Sequence, residues 1–281
     1  MQLAYLEPSA IDAAARLGPD GTVLRDFLAS TDYLPALGHH TLHELARTVV
    51  YGHTDTAKIV FTLVSNLNPI LHQPPDELFR QELLFLRDNR TVQPNLDLAN
   101  EALTRSEIEL LAQGHISDQL RFLIQDRDRD KKESWPVSTN EYLAQIRELR
   151  RLNPPLAPRP GVFDDVVRFL ADQHHRLIQA MTVEPLVEDE AQRIIDRLDS
   201  LPAHRAHLYL WLYLIFICLR DKRAPSGDKL DDFRHLVEAS YCHAFVTNDD
   251  QLAAAQPHIQ PRLRLIRFES LASGGDVSRA T

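Results

Sequence analysis

Residues 231–250 read DDFRHLVEASYCHAFVTNDD, and the architecture expected of this chain follows from how that stretch is parsed. Phe233, Leu236, Val237 and Ser240 recur at the three- and four-residue spacing of an amphipathic helix. Ala244 to Thr247 is a short apolar run with β-branched Val246 and Thr247, the signature of a buried strand. A helix that crosses over and returns the chain to a parallel strand would deliver Asp249 at the strand's carboxyl end, where open α/β sheets hold their ligands. The acidic pairs Asp231–Asp232 and Asp249–Asp250 at the two ends of this unit therefore read as half of a metal site.

The other strand signals lie at the chain's extremes. Leu3 to Leu6 predicts a strand ending at Glu7, and Ile11, Ala14, Ala15 and Leu17 a helix after it. Val23, Leu24, Phe27 and Leu28 suggest a second helix, and residues 33–37 a brief extended piece. Thr41 with Glu44 three residues on fits a capping box opening a helix whose apolar face is Leu42, Leu45, Ala46, Val49 and Val50. Residues 262–268 (RLRLIRF) alternate as a last strand. Between them, residues 78–86, 99–124, 139–152, 161–181 and 188–198 carry helical periodicity, with the charged run 126–133 as a solvated turn or helix end and the proline-rich 153–160 as a stiff linker. The expectation is an α/β core with a parallel sheet built from residues 1–72 and 201–281, interrupted by a helical insertion over residues 73–200.

Composition restricts the function classes. The 281 residues, 44% hydrophobic and 25% charged, match neither a disordered nor a membrane chain. The apolar run 208–219 is too short to span a bilayer, for which ~20 residues are needed, and reads as a core helix. The amino terminus has no signal-peptide pattern, which predicts a cytoplasmic protein. Two cysteines, Cys218 in the apolar run and Cys242 placed in the helix before the second strand, support neither a disulfide framework nor a cysteine-rich zinc site. A net charge of −9 argues against broad binding of duplex nucleic acid, yet is compatible with a carboxylate cluster whose bound cations reverse the local sign.

Four acids end up at element boundaries: Glu7 after the first strand, Glu44 on the capped helix, Asp232 at a helix start and Asp249 after the later strand. Convergent carboxylates suit Mg²⁺ or Mn²⁺, and such ions promote phosphodiester hydrolysis by water. Around these acids Tyr5-Leu6-Glu7-Pro8-Ser9, Thr41-Leu42-His43-Glu44-Leu45, Asp232-Phe233-Arg234-His235-Leu236 and Phe245-Val246-Thr247-Asn248-Asp249 resemble, in order, the motifs of PIN-domain ribonucleases. The last two, close together in one stretch, are the more specific. The resemblance implies a PIN-like three-layer α/β core and a Mg²⁺- or Mn²⁺-dependent endonuclease acting on single-stranded RNA. Glu7, Glu44, Asp232 and Asp249 would be its ligands, supported by Ser9 and Thr247 and, less directly, by Asp231 and Asp250. It also implies a possible antitoxin or other protein partner. The chain departs from the family pattern at Glu7, where the family has Asp, and in residues 73–200, which match no family motif. The alternatives are a catalytically weakened PIN-like module that binds protein or nucleic acid, and a purely helical interaction protein.

Each residue also has a plainer reading. Glu44 serves a capping box, Asp232 opens a helix, Asp249 and Asp250 begin the helix that follows, and Thr247 packs in a strand. His39, His40 and His43 invite a zinc site but lack the H-E-x-x-H order and a distant partner, so they read as surface or capping histidines, as do His174 and His175. Arg147, Arg150 and Arg151 form a helical stripe that would be solvated or track a phosphate backbone.

Overall fold

The computed structural model describes residues 2–18, 20–152, 162–181, 186–187, 189–221 and 227–273. Its centre is a five-stranded, all-parallel sheet in the order β3-β2-β1-β4-β5, formed by β1 Gln2–Leu6, β2 Tyr33–Leu37, β3 Ile70–Leu71, β4 Ala244–Thr247 and β5 Arg264–Arg267. β1 and β4 pair directly (Tyr5 opposite Phe245, Leu6 opposite Val246), so the first and last quarters of the chain meet in mid-sheet. Both strands are covered on both faces, which is why they read as continuous apolar runs.

Side-chain alternation sorts the core into two layers. Ala4, Leu6, Ala244 and Val246 face a cluster built with α1 Pro8–Leu17, α2 Thr22–Thr31, α3 His39–Val50, α4 Thr54–Leu67, α6 Leu98–Ala112, the start of α7 Asp118–Leu152 and α14 Phe268–Ala272. Tyr5 and Phe245, stacked at 5.6 Å, face the other way into a cluster built with α5 Pro75–Asp88, α8 Phe163–Phe169, α9 His174–Met181, α10 Glu190–Asp196, α11 Pro202–Asp221, α12 Gly227–Glu238 and α13 Asp250–Ile259. Helices from residues 73–200 contribute to both layers. α11, which contains the apolar run 208–219, is the spine of the second layer and packs on α5, α8, α9, α12 and α13. Among the described residues no helix is long and apolar enough to cross a membrane.

Several elements differ from the expectation. Gly38, not Thr41, is the N-cap of α3, and Thr41 is a buried residue of its first turn whose hydroxyl lies 2.9 Å from that of Tyr5. The capping box therefore does not form. The backbone N–H of His40 is instead capped from a distance, by Glu238 Oε1 at 2.9 Å and Oε2 at 3.2 Å. Asp232 is not at a helix start but in the middle of α12, and Cys242 follows the 3₁₀ turn Ala239–Tyr241 rather than lying in the helix. The segment 99–124 breaks at residues 113–117 between α6 and α7. The charged run 126–133 is interior to α7: its sign alternation places opposite charges three residues apart, as in Arg129 with Asp126, and presents Arg127, Asp128 and Lys131 to neighbouring helices. The two-residue strand β3 was too short to register as a periodic signal. The linker 153–160 lies outside the described residues.

Candidate functional site

In the sheet order, the connections from β1 lead towards β2 and those from β4 towards β5, so the strand order reverses between β1 and β4. The carboxyl ends of these two strands flank the position where open α/β sheets leave a crevice. Glu7 follows β1 directly and Asp249 lies two residues beyond β4. An open cleft of about 600 Å³ opens beside them, lined among others by Ser9, Glu44 and Asp232 and rimmed by Arg16, Arg47, His53 and Lys131.

A lattice of short polar contacts ties the two strand ends together. Ser9 and Thr247 both donate their hydroxyl protons to Glu7 Oε2, Thr247 at 2.8 Å. Each hydroxyl accepts in turn from a backbone N–H of the other segment or its own: Asn248 to Ser9 Oγ at 2.9 Å, Asp249 to Thr247 Oγ1 at 3.0 Å. Glu7 Oε1 takes no part in this lattice. Burial pushes the Glu7 carboxyl up from its ordinary range, against the opposing pull of His235 and the two hydroxyls. Ser9 and Thr247 thus hold the Glu7 carboxylate in place.

Asp249 caps α13 by accepting from Leu252 N–H at 2.8 Å, so its plainer reading is realised without displacing it from the site. Arg267 of β5 reaches back to Asn248 O at 3.2 Å and Asp250 at 2.7 Å, clamping the loop that carries Asp249. Asp231 is occupied by Lys131 at 2.7 Å, Arg234 at 3.2 Å and Arg127 at 3.6 Å. Asp231 and Asp250 are therefore bound in ion pairs.

Asp232 reports the proximity of the acids. Burial and then the negative charges of Glu44, Asp249 and Glu7 push its carboxyl up to about 7, against the opposing pull of His235. The four acids thus share one electrostatic environment, but they do not pack into one tight cage. Among the described residues, the set of three or more His, Cys, Asp and Glu side chains whose ligand atoms all lie within 4.8 Å of one another is His40, Glu44 and His235. Glu44 belongs to both neighbourhoods.

The histidines are the largest departure from the sequence reading. His40 and His43 are buried, not on the surface, and His235 is 1% exposed. Glu44 Oε1 lies 3.4 Å from His40 Nε2, and Oε2 3.2 Å from His235 Nε2. Against burial, which alone would raise it, His235 and His40 hold the Glu44 carboxyl well below the usual range. Burial alone would strip the proton from His235, yet contact with Glu44 and the charges of Glu44, Glu7 and Glu238 hold it at about 9. On its other side His235 Nδ1 meets the Tyr5 hydroxyl at 3.0 Å, which donates to Glu238 Oε2 at 2.7 Å. Nδ1–H, Tyr5 O–H and the Glu238 carboxyl then form one directed chain. His235 and Glu238, which sequence reasoning missed, do have a signal: with Asp232 they recur every third residue on α12 between buried Phe233, Leu236 and Val237.

A raised histidine pKa has a definite sign. Because His235 sits at about 9 when folded against 6.5 when unfolded, its stabilising contribution is complete below pH 6.5 and is lost as pH climbs through 9. The unfolding midpoint, measured from pH 6 to 10 with and without His235→Gln, is expected to fall more steeply in the wild type between pH 6.5 and 9 and in parallel above that. Curves parallel over the whole range would contradict a buried imidazolium.

No known protein family, curated protein or solved structure matches this chain.

Proposed function

We propose that this chain is a PIN-like, divalent-metal-dependent endonuclease that hydrolyses single-stranded RNA. The observation that carries the reading is the placement of four acids from separate segments, Glu7, Glu44, Asp232 and Asp249, around the crevice between the carboxyl ends of β1 and β4. Their donor set fits the implied ion, since Mg²⁺ and Mn²⁺ take carboxylate oxygens and keep several waters, which a wide ring of acids accommodates. Glu7, Asp232 and Asp249 would hold it, with Glu44 alongside. Bound there, such an ion supplies charge neutralisation and activation of water.

The chain's own groups do the rest. Ser9 and Thr247 keep Glu7 from rotating. With a carboxyl pushed up to about 7, Asp232 can hold or release a proton at its own oxygens near neutrality. Arg16, Arg47 and Lys131 line the cleft as well, each paired with an aspartate (Asp12, Asp128 and Asp231), and a phosphate backbone would have to compete with those carboxylates for them. A single strand suits an open cleft lined by Glu44 and Asp232. One feature favours the catalytically weakened alternative: both oxygens of Glu44 already face histidines.

The test is Mn²⁺- and Mg²⁺-dependent cleavage of labelled single-stranded RNA and DNA under single-turnover conditions. Asp232→Asn and Asp249→Asn are each expected to slow cleavage about 100-fold or more, the scale of effect when a reacting group is misplaced. Equal cleavage by the variants, or none on any substrate, removes the nuclease reading in favour of a binding module.

A further inference from the structure

We infer that His40, Glu44 and His235 form a second, nitrogen-containing metal site that takes a divalent ion of the Zn²⁺ class, distinct in ligand chemistry from the carboxylate ring. This inference does not rest on the nuclease reading; the two share only Glu44. Two imidazoles and one carboxylate suit zinc and its first-row neighbours, whereas Mg²⁺ and Ca²⁺ prefer oxygen alone.

Three observations support it. The first is spacing. The three ligand atoms, one from each residue, lie within 4.8 Å of one another, and each imidazole faces its own oxygen of Glu44, His40 at 3.4 Å from Oε1 and His235 at 3.2 Å from Oε2, so a small inward shift brings all three to an ion held at ~2.0–2.1 Å. The second is a buried nitrogen with a single neighbour. His235 Nε2 is buried and faces Glu44 Oε2 at 3.2 Å, with no hydrogen bond to any other group. The third is the support behind the ligands. A metal-bound histidine ordinarily donates its other ring N–H to an oxygen that fixes its tautomer. His235 Nδ1 has that partner in Tyr5 Oη, backed by Glu238.

The ligands are also arranged by secondary structure. His40 and Glu44 are one turn apart on α3, on the same face, and His235 meets them from α12, which packs against it. α3 is fixed in this position because Glu238, one turn beyond His235, accepts the N–H of His40. Only Glu44 reaches the cleft, so a fourth ligand would come from water on that side. Arg127 lies against His40, with Nη2 2.7 Å from Nδ1. A guanidinium can only donate, so Nδ1 accepts and a neutral imidazole carries its proton on Nε2, towards Glu44. Ligation through Nε2 moves that proton to Nδ1 and turns Arg127 away, and Asp231, already 3.6 Å from the same nitrogen, is there to receive it.

Co²⁺ is the probe, because its visible absorption reports both binding and coordination. The full-length protein, stripped with chelator, is expected to bind one Co²⁺ with the intense absorption of a four-coordinate site, to be displaced by one Zn²⁺, and to resist a hundredfold excess of Mg²⁺. His40→Ala and Glu44→Gln should each weaken binding tenfold or more, while Asp249→Asn changes it less than threefold. Glu44→Gln keeps the side-chain volume, and circular dichroism checks that each variant is folded. Absence of stoichiometric Co²⁺ binding in the folded wild type, or binding unchanged in both folded variants, overturns the inference. Co²⁺ binding with no nuclease activity supports this site while removing the function proposed above. Cleavage without Co²⁺ binding does the reverse.

Discussion

Replacing Glu238 by alanine is expected to destabilise the protein by about 3–5 kcal/mol, the range for removing one partner of a buried charged cluster. Glu238 is 1% exposed and accepts from the Tyr5 hydroxyl and the His40 backbone N–H. Its loss leaves the His40 N–H buried without an acceptor, leaves the Tyr5 O–H only the Thr41 hydroxyl, and removes a carboxyl beside the His235 ring. Gly38 sharpens the test. Its backbone is extended, at φ −91° and ψ 165°, so any residue could adopt it, but a Cβ there would lie 1.8 Å from Glu238 Oε2 and 2.5 Å from its Cδ. Glycine is required because the carboxyl occupies the space of a side chain, not because of backbone strain. Gly38→Ala should therefore cost ~1–3 kcal/mol in the wild type, the usual scale of overpacking, and distinctly less in the Glu238→Ala background. Denaturant midpoints of the four proteins of this cycle measure the difference. Additive costs would mean that the two residues do not compete for one space.

Glu82→Ala is the second large effect, in the same layer, the one that Tyr5 and Phe245 face. Glu82 is fully buried on α5 and accepts four hydrogen bonds, two on each oxygen: Ala203 N–H at 2.7 Å and Tyr241 O–H at 2.6 Å on Oε1, His204 N–H at 2.9 Å and Nδ1–H at 2.6 Å on Oε2. It thereby caps the amino terminus of α11, which Pro202 begins without an N–H of its own. Because α11 packs on α5, α7, α8, α9, α12 and α13, losing its cap loosens the layer behind Tyr5 and Phe245. A cost of about 3–5 kcal/mol is expected, a large share of the ~5–15 kcal/mol by which domains are stable. Glu82→Gln should recover only part of it, since an amide turns one of the two acceptor oxygens into a donor facing donors. A change below ~1 kcal/mol for Glu82→Ala in denaturant unfolding would show that the four contacts are not holding the helix.

Both residues illustrate one device. A glutamate buried on a helix of one segment satisfies the exposed N–H groups at the start of a helix far away in sequence, 121 residues on for Glu82 and Ala203, 198 apart for Glu238 and His40. Local rules do not find such caps. The Thr41–Glu44 pattern satisfied the capping-box spacing, yet the helix is capped three residues earlier, at Gly38, and Thr41 turns inwards to Tyr5. The same holds for the run 126–133. Its charges look solvated one residue at a time, but α7 lies along α3, and Arg127, Asp128 and Lys131 are spent on His40, on Tyr51 with Arg47, and on Asp231.

What the chain's order of residues determined by itself was the set of elements and the rank of the acids. Apolar periods of two and of three to four residues specified β1, β2, β4, β5 and most helices, because burial on one or both faces leaves a direct imprint on the pattern. That imprint also put Glu7 and Asp249 at strand ends, where a parallel sheet exposes its crevice. Only the tertiary structure decided what stands beside them. The pairing of β1 with β4 brings together residues 240 positions apart, and the packing of α12 on α3 sets His235 between Glu44 and Tyr5. A histidine's place in the core depends on partners from three segments compensating the cost of burying it. No periodicity in a single segment records that compensation.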